Sequence, residues 1–130
     1  MKKIDNENDL QRYLYKDGLT KAYGLNDIYV SKSGAVVSIK LFNKGYRIKD
    51  VNVSKGTKGL LKFNYCENGK VTSILLHKII YDTFSTDKSS HGEICFIDGD
   101  SNNCGFNNLI TVSELLDYYK QHNNVNKLVG

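Results

Sequence analysis

The chain has 130 residues, 40% of them hydrophobic and 25% charged, which is ordinary for one folded domain and too short for a large multidomain enzyme. No apolar run approaches the roughly 18 to 20 residues that cross a bilayer. Met1-Lys2-Lys3 leads into polar Asp5, Asn6, Glu7, Asn8 and Asp9 where a signal peptide would be apolar. The expectation is a cytoplasmic protein with no membrane partner. Cys66, Cys95 and Cys104 are odd in number and form no CxxC pair, so they read as reduced thiols.

The formal net charge of +4 hides an asymmetry. Residues 1–28 balance, residues 29–80 carry a net of +8, and residues 81–119 a net of −6. The positive segment also holds Tyr29, Phe42, Tyr46, Phe63 and Tyr65. Basic groups interleaved with aromatics suit a surface that meets a phosphate backbone, and a solvated sheet face would look similar. Lys40, Lys44, Arg47, Lys58, Lys62 and Lys70 are the candidate contacts. Lys exceeds Arg by 16 to 2, and Lys lacks the planar fork that reads guanine edges, so any grip on nucleic acid falls on backbone more than sequence. Abundant Lys and Asn with no Pro and no Trp fit AT-rich codons, as in an AT-rich bacterium or its phage.

Along the chain, Leu10, Tyr13, Leu14 and Leu19 predict a short helix over 7–16 that stops at Asp17-Gly18. From Ile28 the pattern turns β-branched: Ile28-Tyr29-Val30, a turn at Ser33-Gly34, then Val36 to Ile39, a hairpin. Further strands are expected at 46–53, 59–66 and 71–76, turning at Lys55-Gly56 and at Glu67-Asn68-Gly69. Leu76, Ile79, Ile80 and Phe84 share one helical face, so a helix runs from about Leu75 to Thr83, followed by a polar, flexible stretch at 85–92. Glu93–Ile97 reads as a strand, then a dense loop from Asp98 to Asn103, then a strand at Leu109–Val112. Thr111 and Glu114 have capping-box spacing, which predicts a helix over Val112–Gln121 with an apolar stripe of Leu115, Leu116 and Tyr119.

Three phrases carry a family resemblance. Val30-Ser31-Lys32-Ser33-Gly34-Ala35-Val36-Val37-Ser38-Ile39-Lys40 resembles the VSxxGxVxSIK strand–turn–strand ahead of the nuclease module in phage and intron HNH homing endonucleases. Leu76-His77-Lys78-Ile79-Ile80-Tyr81-Asp82-Thr83-Phe84 resembles that family's VHRLVAxxF helix. Ile97-Asp98-Gly99-Asp100-Ser101-Asn102-Asn103 with Asn107-Asn108-Leu109 resembles its HxDGNxxNNxxxNL loop. The resemblance implies an α+β fold: a twisted antiparallel sheet with hairpins, packed on an HNH-like ββα unit. It implies an N-terminal helical segment (1–22), a basic β-sheet module (23–76), a ββα module (77–122) and a frayed tail (123–130).

The family's chemistry uses a strand histidine as general base, a neighbouring acid and a helical ligand for one divalent metal, and an asparagine that orients the histidine. By position, the resemblance puts the histidine at Phe96, the acid at Cys95, the asparagine at Asn108 and the helical ligand on or near Asp117. Phenylalanine cannot accept a proton, and a thiol suits soft metals better than Mg²⁺. A degenerate member is therefore expected, with no catalytic residue and no cofactor, Mg²⁺ entering only with residual nuclease activity. Asn108 also fits a loop staple, Asp98 and Asp100 fit turn residues, and Asp98 and Asp117 remain weak metal candidates. His77 reads as a packed histidine before a base, and His91 and His122 as solvent-exposed. Three functions follow: a phage or mobile-element protein that binds nucleic-acid backbone without cutting; a phage-encoded inhibitor of a host defence nuclease or ribonucleoprotein, anti-CRISPR-like; and an active metal-dependent endonuclease rebuilt around His77 or His91.

Overall fold

The computed structural model describes residues 2–86 and 92–129, with side chains as far as Gln121. The chain begins with a short strand, β1 (Lys2–Ile4), and helix α1 (Glu7–Asp17). Asn6 caps the helix by accepting the Asp9 N–H at 2.9 Å, and Gly18 ends it at φ 65°, a left-handed backbone that glycine takes without strain. β2 (Leu19–Lys21), β3 (Ile28–Ser31), β4 (Val36–Phe42) and β5 (Gly45–Asp50) complete a five-stranded antiparallel sheet in the order β1-β5-β4-β3-β2. Both edge strands come from the first 22 residues, outside the expected strands. β1 can approach because residue 45 is glycine: a Cβ there would lie 2.6 Å from the Ile4 carbonyl oxygen.

The expected strand over 46–53 ends at Asp50. Val51 turns instead into the core, and the following β6 (Ser54–Lys55) pairs with β7 (Leu61–Glu67), which pairs with β8 (Lys70–Leu75). Asn68 and Gly69, at φ 52° and 77°, make the two-residue turn that their sequence predicts. Helix α2 (Leu76–Phe84) follows. Strands β9 (Ile94–Phe96) and β10 (Leu109–Thr111) form a two-stranded sheet, and α3 (Val112–Val129) closes the chain. Thr111 Oγ1 accepts the Glu114 N–H at 3.1 Å and donates to Glu114 Oε1 at 2.9 Å, so Thr111 caps the helix and meets Glu114 as their spacing predicts. The tail expected to fray from Asn123 is helical to Val129, since no Pro or Gly stands in it before Gly130 to break the hydrogen-bond ladder. The stretch expected to be flexible, 85–92, lies largely outside the described residues.

Two cores hold these parts. Ile4, Leu10, Leu19, Val37, Ile39 and Ile48 form one, between α1 and one face of the five-stranded sheet. The larger joins all three sheets to α2: Val30 and Val36, Phe63 and Tyr65, Ile79 and Ile80, Ile94 and Leu109. The fold is thus mixed α and β, and β9 and β10 share the larger core with the sheet through Ile94 and Leu109, as strands too short to bury a core of their own would require.

Candidate nucleic-acid interface

Directly paired residues of antiparallel strands point to the same side of a sheet, so the register sorts the basic residues by face. Val37, Ile39 and Ile48 point towards α1. Alternate residues therefore point the other way: on β3 and the start of β4, Ile28, Val30 and Val36 enter the larger core. Further along, the same face carries Lys40 paired with Arg47, Arg47 paired with Lys3, and Lys49 two residues on. Half of one face is core and the other half is a basic row. The Arg47 guanidinium lies 3.3 Å from the Phe42 ring centroid, a cation–π stack that fixes it flat. Lys44 takes φ 69° in the two-residue β4–β5 turn at the end of this row. A polar cleft of about 700 Å³ separates Lys40 and Lys49 from Asn64 and Asn68 of the β7–β8 hairpin.

Of the basic residues singled out in the sequence, Lys40, Lys44 and Arg47 thus share one hairpin, joined by Lys3 and Lys49. Lys49 was legible, because it alternates with Arg47 at strand period. Lys3 was not, because a three-residue strand has no readable period. Lys58, Lys62 and Lys70 belong to the other hairpin. Phe63 and Tyr65 of β7 face the core, so Lys62 points outward and donates to Ser73 Oγ at 3.3 Å, whereas Lys70, paired with Glu67, is on the opposite side. Lys58 is in the turn over Thr57–Gly59 at φ 64°.

The Asp98 loop is closed on itself. Asn108 Nδ2 donates to Asp98 Oδ1 and to the Asn103 carbonyl, each at 2.9 Å, and its Oδ1 accepts the Asp98 N–H at 3.1 Å. The Asp98 carboxylate also accepts from Asn103 Nδ2 at 2.9 Å and the Asp100 N–H at 2.8 Å, and Asp100 accepts the Asn102 N–H at 2.9 Å. Asn103 first, then the Asp100 amide and Asn108, hold the exposed Asp98 carboxyl below its ordinary range. Asn108 is the loop staple. Asn108→Ala removes three hydrogen bonds at once and is expected to cost about 1–3 kcal/mol, read as a lower denaturation midpoint with an unchanged slope. A variant as stable as wild type would contradict the staple.

Phe96 and His77 meet, with ring centroids 5.0 Å apart. His77, on the first turn of α2, is 7% exposed and packed, as its sequence suggested. Burial first, and then neighbouring Lys78, push its pKa below the usual value, so it is neutral at pH 7. In the unfolded chain it binds a proton near pH 6.5. Below that pH the unfolded state takes up a proton that the folded state resists, so stability contributed by neutral His77 is full above about pH 6.5 and falls as the pH drops towards the lowered value. Melting temperatures between pH 7.5 and 5.5 should decline more steeply for wild type than for His77→Gln, and equal declines would refute this.

The donors do not fit the divalent ion that the resemblance implies. Asp98 is committed to its own loop, Asp117 is exposed on α3, and a phenylalanine and a thiol occupy the strand. Among the described residues no three His, Cys, Asp or Glu side chains come together. His91 lies outside the described residues, as does the side chain of His122. No helix among the described residues is long and apolar enough to cross a membrane.

No family model and no curated protein matches the chain. Among solved structures it is similar to the HNH homing endonuclease I-HmuI, from work on that enzyme's DNA binding and cleavage, at a TM-score of 0.59 and 18% identity. The match covers 80% of this chain and 58% of the endonuclease chain. At that identity the likeness is one of fold.

Proposed function

We propose that the chain is an HNH-like nucleic-acid-binding protein, encoded by a phage or mobile element, that grips backbone phosphates and has lost metal-dependent cleavage. The observation that carries this reading is the row Lys3–Arg47–Lys40, with Lys49 beside it, on the half of a sheet face that the core leaves open. Four cations in neighbouring strands, one stacked flat on Phe42, meet a phosphate chain without reading bases. A fold neighbour studied for DNA binding and cleavage is in keeping with it. Loss of cleavage is supported by Phe96 in the position of the general base and by the scattered donors around it. The test is a duplex titration at several salt concentrations with and without Mg²⁺: affinity should fall steeply with salt, vary little with sequence and ignore the metal. Binding unaffected by salt would sink the reading.

A second reading has its own observation. On α3, Leu116 and Tyr119 are 54% and 51% exposed beside exposed Asp117, so the apolar stripe expected along this helix is largely left in solvent. An acidic and apolar helix face suits a basic protein groove, as an inhibitor of a host nuclease would need. Neutralising Asp117 together with Asp98 and Asp100 to Asn would then slow association with that nuclease at low salt, and would leave duplex affinity equal or slightly better if nucleic acid is the partner.

A further inference from the structure

The outer strands of the two larger sheets are not alike. β1, β2 and β6 are two or three residues long and each carries lysine (Lys2 and Lys3, Lys21, Lys55), which is how proteins blunt a sheet edge against pairing with another chain. β8, the remaining outer strand, lacks these guards. It runs six residues in unbroken register with β7, contains no proline, and carries its one charge, Lys70, at its very start. Every residue of it except Ile74 is exposed, Val71 at 67% and Leu75 at 37%. In a two-residue hairpin the residues flanking the turn exchange both hydrogen bonds, and bonded and unbonded pairs alternate from there. Glu67 and Lys70 flank Asn68-Gly69, so Lys70, Thr72 and Ile74 bond to β7, while Val71, Ser73 and Leu75 turn their N–H groups away from it. Among the described residues none bonds to that outer edge.

A row of unpaired backbone donors and acceptors takes an extended strand, by the same main-chain bonding that joins β8 to β7. The side chains select which strand. Laid antiparallel with Ser73 on a two-fold axis, β8 matches itself: the two Ser73 residues exchange two hydrogen bonds, and each Leu75 N–H reaches the Val71 carbonyl of the other copy, four bonds in all. The Leu75 carbonyl is not counted, because Leu75 is the N-cap of α2 and its carbonyl opens that helix. On the face away from Phe63 and Tyr65 this register sets Val71 against Leu75 of the second copy, so the two exposed apolar side chains of the strand cover each other. On the opposite face Thr72 meets Ile74, a β-branched pair. Lys70 falls outside the overlap, so no like charges oppose. A register two residues off would set Lys70 against Ile74 and leave Leu75 opposite the Gly69 turn. We propose that two copies of this chain pair through β8 into one six-stranded antiparallel sheet. Five paired residues a side are few against roughly 20–30 in a standard interface, so the pair is weak, dissociating between about 10 μM and 1 mM. The inference needs no ligand and stands apart from the nucleic-acid reading.

The test is sedimentation of the purified chain, without nucleic acid, over the same range of about 10 μM to 1 mM, joined to amide hydrogen exchange read by NMR. The mean mass should rise from 14.7 kDa towards twice that value. In dilute protein the Val71, Ser73 and Leu75 amides should exchange fast and those of Thr72 and Ile74 slowly. In concentrated protein Ser73 and Leu75 should slow by about twofold or more, while Val71, which finds no free acceptor, stays fast. Ser73→Pro removes the donor on the axis, one that β7 does not use and that edge strands can lose. Val71→Lys puts a charge into the apolar pair. Each should weaken the dimer by roughly tenfold or more, the scale of two lost hydrogen bonds. Val71 is exposed, so the result does not hang on the proline variant folding. A chain that stays monomeric at the top of the range, with Ser73 and Leu75 exchanging fast, would overturn the proposal. A dimer that survives both substitutions would overturn it too, since the contact would then be elsewhere. If these amides slow only when a synthetic extended peptide of unrelated sequence is added to a monomeric chain, the edge takes another partner and the second copy is ruled out.

Discussion

Replacing Lys40, Arg47 and Lys49 together by Ala is expected to flatten the dependence of duplex affinity on salt by about 2.7 units in the slope of log affinity against log salt, three phosphates at about 0.9 each. Between 50 and 200 mM salt the wild type would then lose roughly 40-fold more affinity than the variant. The three side chains share one half-face, Lys40 and Lys49 exposed on it and Arg47 half-buried, so their loss acts on one contact surface. Lys49 and Lys40 are exposed, and substituting them leaves both cores intact. Arg47 stacks on Phe42, so a thermal melt must accompany the titration. Lys58, Lys62 and Lys70, also candidate contacts on the sequence, form a second triple. Since Lys62 and Lys70 point to opposite sides of their hairpin, that triple is expected to change the slope by roughly one unit, the share of a single phosphate. Equal slopes for wild type and the Lys40, Arg47, Lys49 variant would remove the basic row from the contact surface.

That difference between the two triples shows where sequence reading stopped. Signals confined to a few neighbouring residues were legible: the Gly18 stop, the Asn68-Gly69 turn, the Thr111 cap with Glu114 and the α2 face all formed where the spacing put them. Each rests on backbone conformation or on one turn of helix, which a local pattern specifies. Pairing between distant segments was not legible. β1 and β2 have three residues each, too few for a period, and they join the sheet because Gly45 admits β1 and Leu19 fills the α1 core. Whether two lysines share a surface depends on register and on which strand face is buried, and both are decided by tertiary packing. Glu114 illustrates the same limit: its capping role is local, but it also accepts a hydrogen bond from the Tyr81 hydroxyl, 33 residues away. Asn108 was read both as an orienting residue and as a staple, and the three bonds it makes are those of a staple.

Purified protein is expected to leave duplex DNA uncut with Mg²⁺ or Mn²⁺, at a rate about 10² to 10⁴ below that of an enzyme with a general base in place. The argument starts at Phe96, whose ring can take no proton and instead packs on His77 at 5.0 Å. His77 is neutral, and its Nδ1 is unbonded, so it is the one described imidazole that could stand in as base. Its position argues against that role, because it is 93% buried among apolar side chains and no cluster of three metal-binding groups adjoins it among the described residues. A base must reach its water and the water must reach a phosphate. Metal-dependent nicking that disappears in His77→Ala, with the fold intact by circular dichroism, would overturn the proposed loss of cleavage. The converse variant, Phe96→His with Cys95→Asp, returns the two missing side-chain types to β9. Gain of metal-dependent nicking in that variant would show that Asn108 and the loop it staples still hold the geometry of a working site.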